Sequence, residues 1–182
     1  MKKYKYLLPI FITLFFLQMS SCDEINSIEV NIPVTKEISA SGSNSKITEE
    51  PVSFCLDEAS DTYTEYKDKI KKLTFAQAAY RTVSVSDPSL KGDINLTVMD
   101  ANGTTLFSLT IPNVILAAYM KPNSPFVIQL NQNQIQAIDL YLSNFTNQCF
   151  KAVLTVNNIS GGTAPYSMTG AVDILLKADT EI

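Results

Sequence analysis

Apolar and polar residues alternate along much of the chain, as expected for β-strands with one buried face. The clearest runs are 28–34 and 94–98, where every second residue is Ile, Leu or Val. Weaker runs of the same kind occupy 47–56, 73–85, 106–111, 126–130, 149–156 and 166–176. The pattern predicts a mainly β fold, an antiparallel two-sheet immunoglobulin-like sandwich of seven to eight strands.

Three local signals refine this prediction. Pro33 lacks an N–H and places the first strand at a sheet edge. The apolar positions change face near Gln77, which indicates a bulge. Asn102-Gly103 lies between two apolar runs and predicts a hairpin turn, because both residue types tolerate positive φ.

Two segments have helical rather than strand periodicity, and we place both helices in connections between strands. Residues 57–72 begin with acidic and end with basic side chains, which complements a helix dipole. In the second segment, Asn131 is a candidate N-cap for a helix with an apolar stripe at Ile135, Ile138, Leu142 and Phe145. We expect this stripe to cover an open end or edge of the sheet.

The first 22 residues have the features of an export signal. Lys2, Lys3 and Lys5 precede an apolar run at 7–17, which is shorter than the roughly 20 residues of a membrane-spanning helix. The following Ser20-Ser21-Cys22 resembles a bacterial lipoprotein signal. The resemblance implies cleavage before Cys22 and acylation of that cysteine, so that the protein is anchored to a membrane without spanning it.

The signal divides the chain into four parts. Residues 1–21 are the expected signal peptide and residues 22–27 a lipidated tether. Residues 28–177 are the expected β-sandwich domain, and residues 178–182 a frayed tail.

Composition excludes several classes of function. Cleavage before Cys22 would remove three of the 14 basic residues and none of the 18 acidic ones, leaving a net charge of about −7, which opposes non-specific nucleic-acid binding. The chain has no histidine, so Ser-His and Cys-His nucleophile pairs are impossible. We identify no metal or cofactor site in the sequence.

Two cysteines remain after the anchor. In an exported protein, Cys55 and Cys149 form a possible disulfide. Both also lie in apolar strand segments, so two separate buried thiols are the alternative.

Taken as a whole, the chain resembles small lipoproteins of Bacteroidota with an immunoglobulin-like β-sandwich, mostly through its leader and the segment 66–73. The placement of Cys55 and Cys149 is similar to the inter-sheet bridge of antibody domains. The resemblance implies an outer-membrane location. Asp23 and Glu24, directly after Cys22, resemble the acidic export signals of surface lipoproteins and favour the cell surface.

The expected function is a non-catalytic binding or structural module of the cell envelope, acting in adhesion or in capture of a protein or glycan ligand. One alternative is a periplasm-facing accessory subunit, which binds a partner by strand addition at an edge such as 28–34. Another is a glycoside hydrolase using two of Asp57, Glu58, Asp61 and Asp93.

Overall fold

A computed structural model describes residues 27–120, 124–144 and 148–181 of the chain. Within these ranges the protein forms nine strands, three α-helices and two 3-10 turns. The strands are β1 (Ser27–Gly42), β2 (Ile47–Thr48), β3 (Val52–Cys55), β4 (Ile70–Val85), β5 (Lys91–Asp100), β6 (Thr105–Ile115), β7 (Phe126–Ile128), β8 (Cys149–Ser160) and β9 (Tyr166–Glu181). The helices are α1 (Leu56–Ala59), α2 (Asp61–Tyr66) and α3 (Gln132–Leu142), and the 3-10 turns are Lys67–Lys69 and Leu116–Tyr119.

All observed strand pairs are antiparallel and form one connected path in the order β6-β5-β8-β2-β1-β9-β4-β7, with β3 also paired to β8. The path is narrowest between β1 and β2, which share the single pair Ser41–Thr48. Helix α3 packs against both β4 and β6, near the two ends of the path. The result is a nearly closed, barrel-like antiparallel sheet, and the mainly β prediction is confirmed.

The barrel-like sheet encloses one apolar core. At Gly170 on β9, an added Cβ would lie 2.8 Å from the Tyr80 ring on β4 and 3.1 Å from the Leu154 side chain on β8. Tyr80 and Leu154 are both fully buried. Only a glycine permits β9 to approach its neighbours this closely.

The barrel has two ends, which we name by the first and last residues of β1. At the Ser27 end, Ser27 pairs with Glu181, and Ile70 begins β4 opposite Thr180. At the Gly42 end, Gly42 pairs with Tyr166. Strand β8 runs in the same direction as β1, because both pair antiparallel with β2.

Several local predictions are confirmed. Among the described strands, β1 pairs only with β9 until it meets β2 at Ser41, so Pro33 does lie in an edge strand. The register shifts between Phe75 and Gln77, where the bulge was expected. Strands β5 and β6 form the hairpin around Gly103, whose φ is 91°. Asn131 and Gln134 form a capping box at the start of α3.

Other predictions are wrong. The expected helix 57–72 is interrupted at Ser60, which is extended and caps α2 by accepting a hydrogen bond from the Tyr63 N–H. The expected strand 47–56 is divided into β2 and β3, with Pro51 directly before β3. Nine strands are present in the described residues rather than seven or eight.

The predicted frayed tail is also wrong for residues 178–181. Strand β9 continues to Glu181, because it pairs with β1 on one side and β4 on the other. Ala178 and Thr180 are fully buried, and the Thr180 hydroxyl donates to the Ile28 carbonyl oxygen at 3.1 Å. The signal peptide and residues 22–26, including Cys22, lie outside the described residues.

Candidate functional site

Two surface grooves flank helix α3. The hairpin groove has a volume of about 390 Å³ and separates α3 from the β5–β6 hairpin. It is lined by Asp100, Thr104, Thr105, Leu106, Ala137, Leu140, Tyr141 and Asn144. The lysine groove has a volume of about 280 Å³ and separates the end of α3 from the start of β4. It is lined by Lys71, Lys72, Leu73, Thr74, Asp139 and Ser143.

Helix α3 is held between the grooves by an apolar face and two polar contacts. Ile138 and Leu142 of the predicted stripe are buried against the sheet. Ile135 is half-buried, and Phe145 lies outside the described residues. The Asp139 carboxylate accepts a hydrogen bond from the Phe75 N–H at 2.7 Å, at the β4 bulge. The hydrogen bond at this bulge therefore attaches helix α3 to strand β4.

Tyr141 makes the second polar contact. Its hydroxyl donates to the Cys149 carbonyl oxygen and accepts from the Ala101 N–H at 3.3 Å. Burial raises the pKa of this hydroxyl, so it stays protonated at neutral pH and can act as a donor. Tyr141 thus joins α3 to the hairpin turn and to the beginning of β8.

The hairpin groove is mainly apolar and carries an exposed leucine. Leu140 is 75% exposed, the most exposed of the large apolar side chains in the described residues. It lies outside the stripe of Ile135, Ile138 and Leu142, so its position in the sequence could have identified it as a surface residue. We did not predict either groove from the sequence, because each combines residues from segments that are distant in the chain.

Cys55 and Cys149 face each other on β3 and β8, with their sulfur atoms 1.94 Å apart in a disulfide. The two strands are neighbours in one sheet, so the bridge does not join two sheets as in antibody domains. The bridge joins the first residue of β8 to the last residue of β3, directly before helix α1.

The four candidate catalytic carboxylates are not brought together. Asp57, Glu58 and Asp61 lie on α1 and α2, which directly follow Cys55. Asp93 pairs with Asn157, eight residues along β8 from the partner of Cys55, a distance of about 26 Å at 3.3 Å per residue. A glycosidase pair needs carboxyl groups roughly 5–10 Å apart, so Asp93 is too distant to act with the other three.

Asp93 instead organises loops at the Gly42 end. Its two carboxylate oxygens accept hydrogen bonds from the Asn113 N–H and the Asn158 side-chain amide, each at 2.7 Å. Both asparagines have positive φ, of 49° and 52°. These hydrogen bonds, first that of Asn113 and then that of Asn158, hold the pKa of Asp93 below its usual range.

Asp87 has a similar role in the adjacent turn. Its carboxylate accepts hydrogen bonds from the Ser89 hydroxyl at 2.7 Å and from the Ser89 N–H at 2.8 Å. These two bonds, in that order, lower the pKa of Asp87. Asp87 and Asp93 therefore use their carboxylates to hold turns in place. Because the pKa of each is lowered, neither is in the protonated form that a general acid requires at neutral pH.

Within 27–120, 124–144 and 148–181, no group of three or more His, Cys, Asp or Glu side chains is arranged to hold a metal ion. In the same ranges, no helix is both long and apolar enough to cross a bilayer.

Comparisons with known proteins find only distant similarities to solved structures. No protein-family model matches the chain, and no curated protein matches it. A chain in the structure of turnip yellow mosaic virus has 10% identity and a TM-score of 0.45, over 86% of this chain and 95% of that one. A chain of Desmodium yellow mottle tymovirus has 11% identity and a TM-score of 0.44, over 86% and 83%.

A third similar structure is a virus-like particle of the Macrobrachium rosenbergii nodavirus, with 12% identity and a TM-score of 0.43, over 89% of this chain and 98% of that one. At these identities and scores the likeness carries no inference about function.

Proposed function

We propose that this protein is a lipid-anchored, non-catalytic binding or structural module of the cell envelope. The observation that carries the proposal is the position of Cys22, which follows two serines at the end of an export signal. Strand β1 begins at Ser27, so the barrel would start five residues after the acylated cysteine. Acylation at Cys22 would therefore hold the domain close to a bilayer.

Two further observations support an exported, non-catalytic protein. The Cys55–Cys149 disulfide suits an oxidising compartment outside the cytoplasm. The four acidic residues considered as catalytic candidates lie in two places. Asp57, Glu58 and Asp61 are on the short helices α1 and α2, and Asp93 is in a distant turn. Asp93 is too far away to pair with the others, and Asp57, Glu58 and Asp61 are exposed side chains that line neither groove, which favours binding over carboxylate catalysis.

We also infer that the barrel-like sheet is a flattened two-layer sandwich. Strands β1, β9, β4 and β7 form one layer, and the other strands form the second. The close packing of Gly170 against Leu154 supports two facing layers. The disulfide within one sheet is a departure from the immunoglobulin-like arrangement.

The alternative is a periplasm-facing accessory subunit that binds its partner by strand addition. Strand β6 supports it, because β6 pairs only with β5 among the described strands and offers an edge of 11 residues. Both edges are partly covered: α3 contacts β6, and α1 and α2 contact β1, the edge expected from the sequence.

Lipidation is tested by expressing the full chain and a Cys22→Ser variant in the presence of an alkyne-modified fatty acid. We expect label on the unaltered protein and none on the variant, with the variant released from membranes. Equal release of both proteins, without label, would refute the anchor.

Protease treatment of intact cells then separates the two orientations. Degradation of the anchored protein while a periplasmic marker survives would support surface display. Protection until the outer membrane is opened would support the accessory-subunit alternative instead.

A further inference from the structure

The length of the tether restricts which part of the barrel can face the membrane. This step rests on the proposed acylation of Cys22. Five peptide links join Cys22 to Ser27 and span about 18 Å at most, at roughly 3.5 Å per residue. The acyl group therefore stays near the Ser27 end.

The barrel is long compared with this tether. Strand β1 contains 16 residues, which corresponds to about 50 Å at 3.3 Å per residue. Strand β9 follows it throughout, from Ser27–Glu181 to Gly42–Tyr166. The Gly42 end is therefore much farther from the anchor than the tether can span.

The long flank of the barrel offers little to a membrane. On its outer face, near the middle of β1 and β9, the Arg81 guanidinium pairs with Asp173 at 2.8 Å. The Thr35 hydroxyl also donates to Asp173, at 2.8 Å. These groups already have protein partners, so contact with lipid headgroups would replace existing interactions.

The Ser27 end has a different surface. Ile28 is apolar and 45% exposed. Four lysines, Lys67, Lys69, Lys71 and Lys72, lie in the turn and strand start that lead into this end. Lys71 pairs with Glu181 and Lys177 pairs with Glu29 at this end, both on an exposed surface where such pairs exchange readily with solvent and other ions. The lysines share this end with the acidic residues Asp57, Glu58, Asp61, Glu65 and Asp68, so the surface carries charges of both signs, as zwitterionic phospholipid headgroups do.

We infer that the Ser27 end of the barrel is a membrane-facing surface and that the Gly42 end projects away from the bilayer. The partner of the Ser27 end is the headgroup layer of the anchoring membrane itself. The turns held by Asp93 and Asp87 are then the part of the domain most accessible to other molecules.

The test uses the full acylated protein in phospholipid vesicles that contain a headgroup-linked quencher. One fluorophore is attached through Asp68→Cys, in the exposed 3-10 turn at the Ser27 end. A matched fluorophore is attached through Ser43→Cys, in the exposed loop at the Gly42 end. We expect the label at position 68 to be quenched several times more strongly than the label at position 43.

A longer tether provides the control. Insertion of a Gly/Ser segment between Glu24 and Ser27 should reduce quenching at position 68 and leave position 43 little changed. Thermal unfolding of each labelled protein checks that the fold is retained.

The outcomes are distinct. Equal quenching at both positions means that the barrel lies flat on the membrane, and stronger quenching at position 43 means that it is inverted; either result overturns the orientation alone. Failure of the acylated protein to float with vesicles overturns both the orientation and the proposed anchor.

Discussion

The Ser27 and Gly42 ends of the barrel are closed by different interactions. On the Ser27 side, a disulfide and three helices connect the strands, and α3 is attached through Asp139 and Tyr141. At the Gly42 end, hydrogen bonds from Asp93 and Asp87 hold the turns. The disulfide is found only on the Ser27 side among the described residues, and the carboxylates with a lowered pKa, Asp93 and Asp87, hold turns at the Gly42 end, so the two ends should respond differently to reductant and to acid.

The largest effect should come from removing the disulfide. The bridge links residues 94 apart, and the chain-entropy account gives about 4–5 kcal/mol for such a loop. We expect the Cys55→Ser, Cys149→Ser double variant to lose stability of this order in guanidinium unfolding, and reductant to lower the stability of the unaltered protein similarly. Two alkylatable thiols in the unreduced protein would contradict the bridge.

A smaller loss should follow from detaching α3 at the β4 bulge. Asp139→Ala leaves the part-buried Phe75 N–H without its partner and should cost about 1–3 kcal/mol in unfolding free energy. Asp139→Asn keeps an acceptor oxygen and serves as the matched control, with a smaller loss. If the two variants are equally stable, the hydrogen bond does not attach the helix.

Acid should affect the Gly42 end locally. The pKa of Asp93 is lower in the folded protein than in the unfolded chain, so its stabilising contribution is complete above the unfolded value of about 3.9 and is lost as the pH falls through the folded value. We expect the NMR amide signal of Asn113 to titrate below pH 4.

The titration has an internal control. The Asp93→Asn variant should abolish this response at Asn113 while leaving that of Ser89, which follows Asp87, in place. Retention of the Asn113 response in the variant would assign the titration to another group.

The smallest effect on stability is expected at the hairpin groove. Leu140→Ser should change the unfolding free energy by no more than about 0.5 kcal/mol, because the side chain is 75% exposed. Leu142→Ala, two residues away and fully buried, should cost about 2–5 kcal/mol. Similar losses for both variants in urea unfolding would mean that Leu140 is buried in solution.

Local features were predictable from the sequence where neighbouring residues determine them. Asn131 and Gln134 satisfy each other's backbone groups, and Gly103 accepts positive φ without steric cost. Both features depend on fewer than five consecutive residues. The capped helix and the β5–β6 hairpin were therefore found at the expected positions.

Features that depend on distant residues were not predictable in the same way. The last residues of β9 have the sequence pattern of a polar tail, but they pair with β1 on one side and β4 on the other. The grooves arise only where α3 meets the hairpin and β4. The partner of Asp93 at Asn158 is 65 residues away, so no local pattern could reveal the turn that they share.

The contact of α1 and α2 with β1 would matter for the membrane-anchored protein that we propose. Anchored molecules diffuse in two dimensions and meet at high local concentration, so exposed strand edges could pair between neighbours and seed aggregates. Strand β1 has a single strand partner along most of its 16 residues. By lying beside this edge, the two short helices limit its access to a neighbouring chain on the proposed membrane.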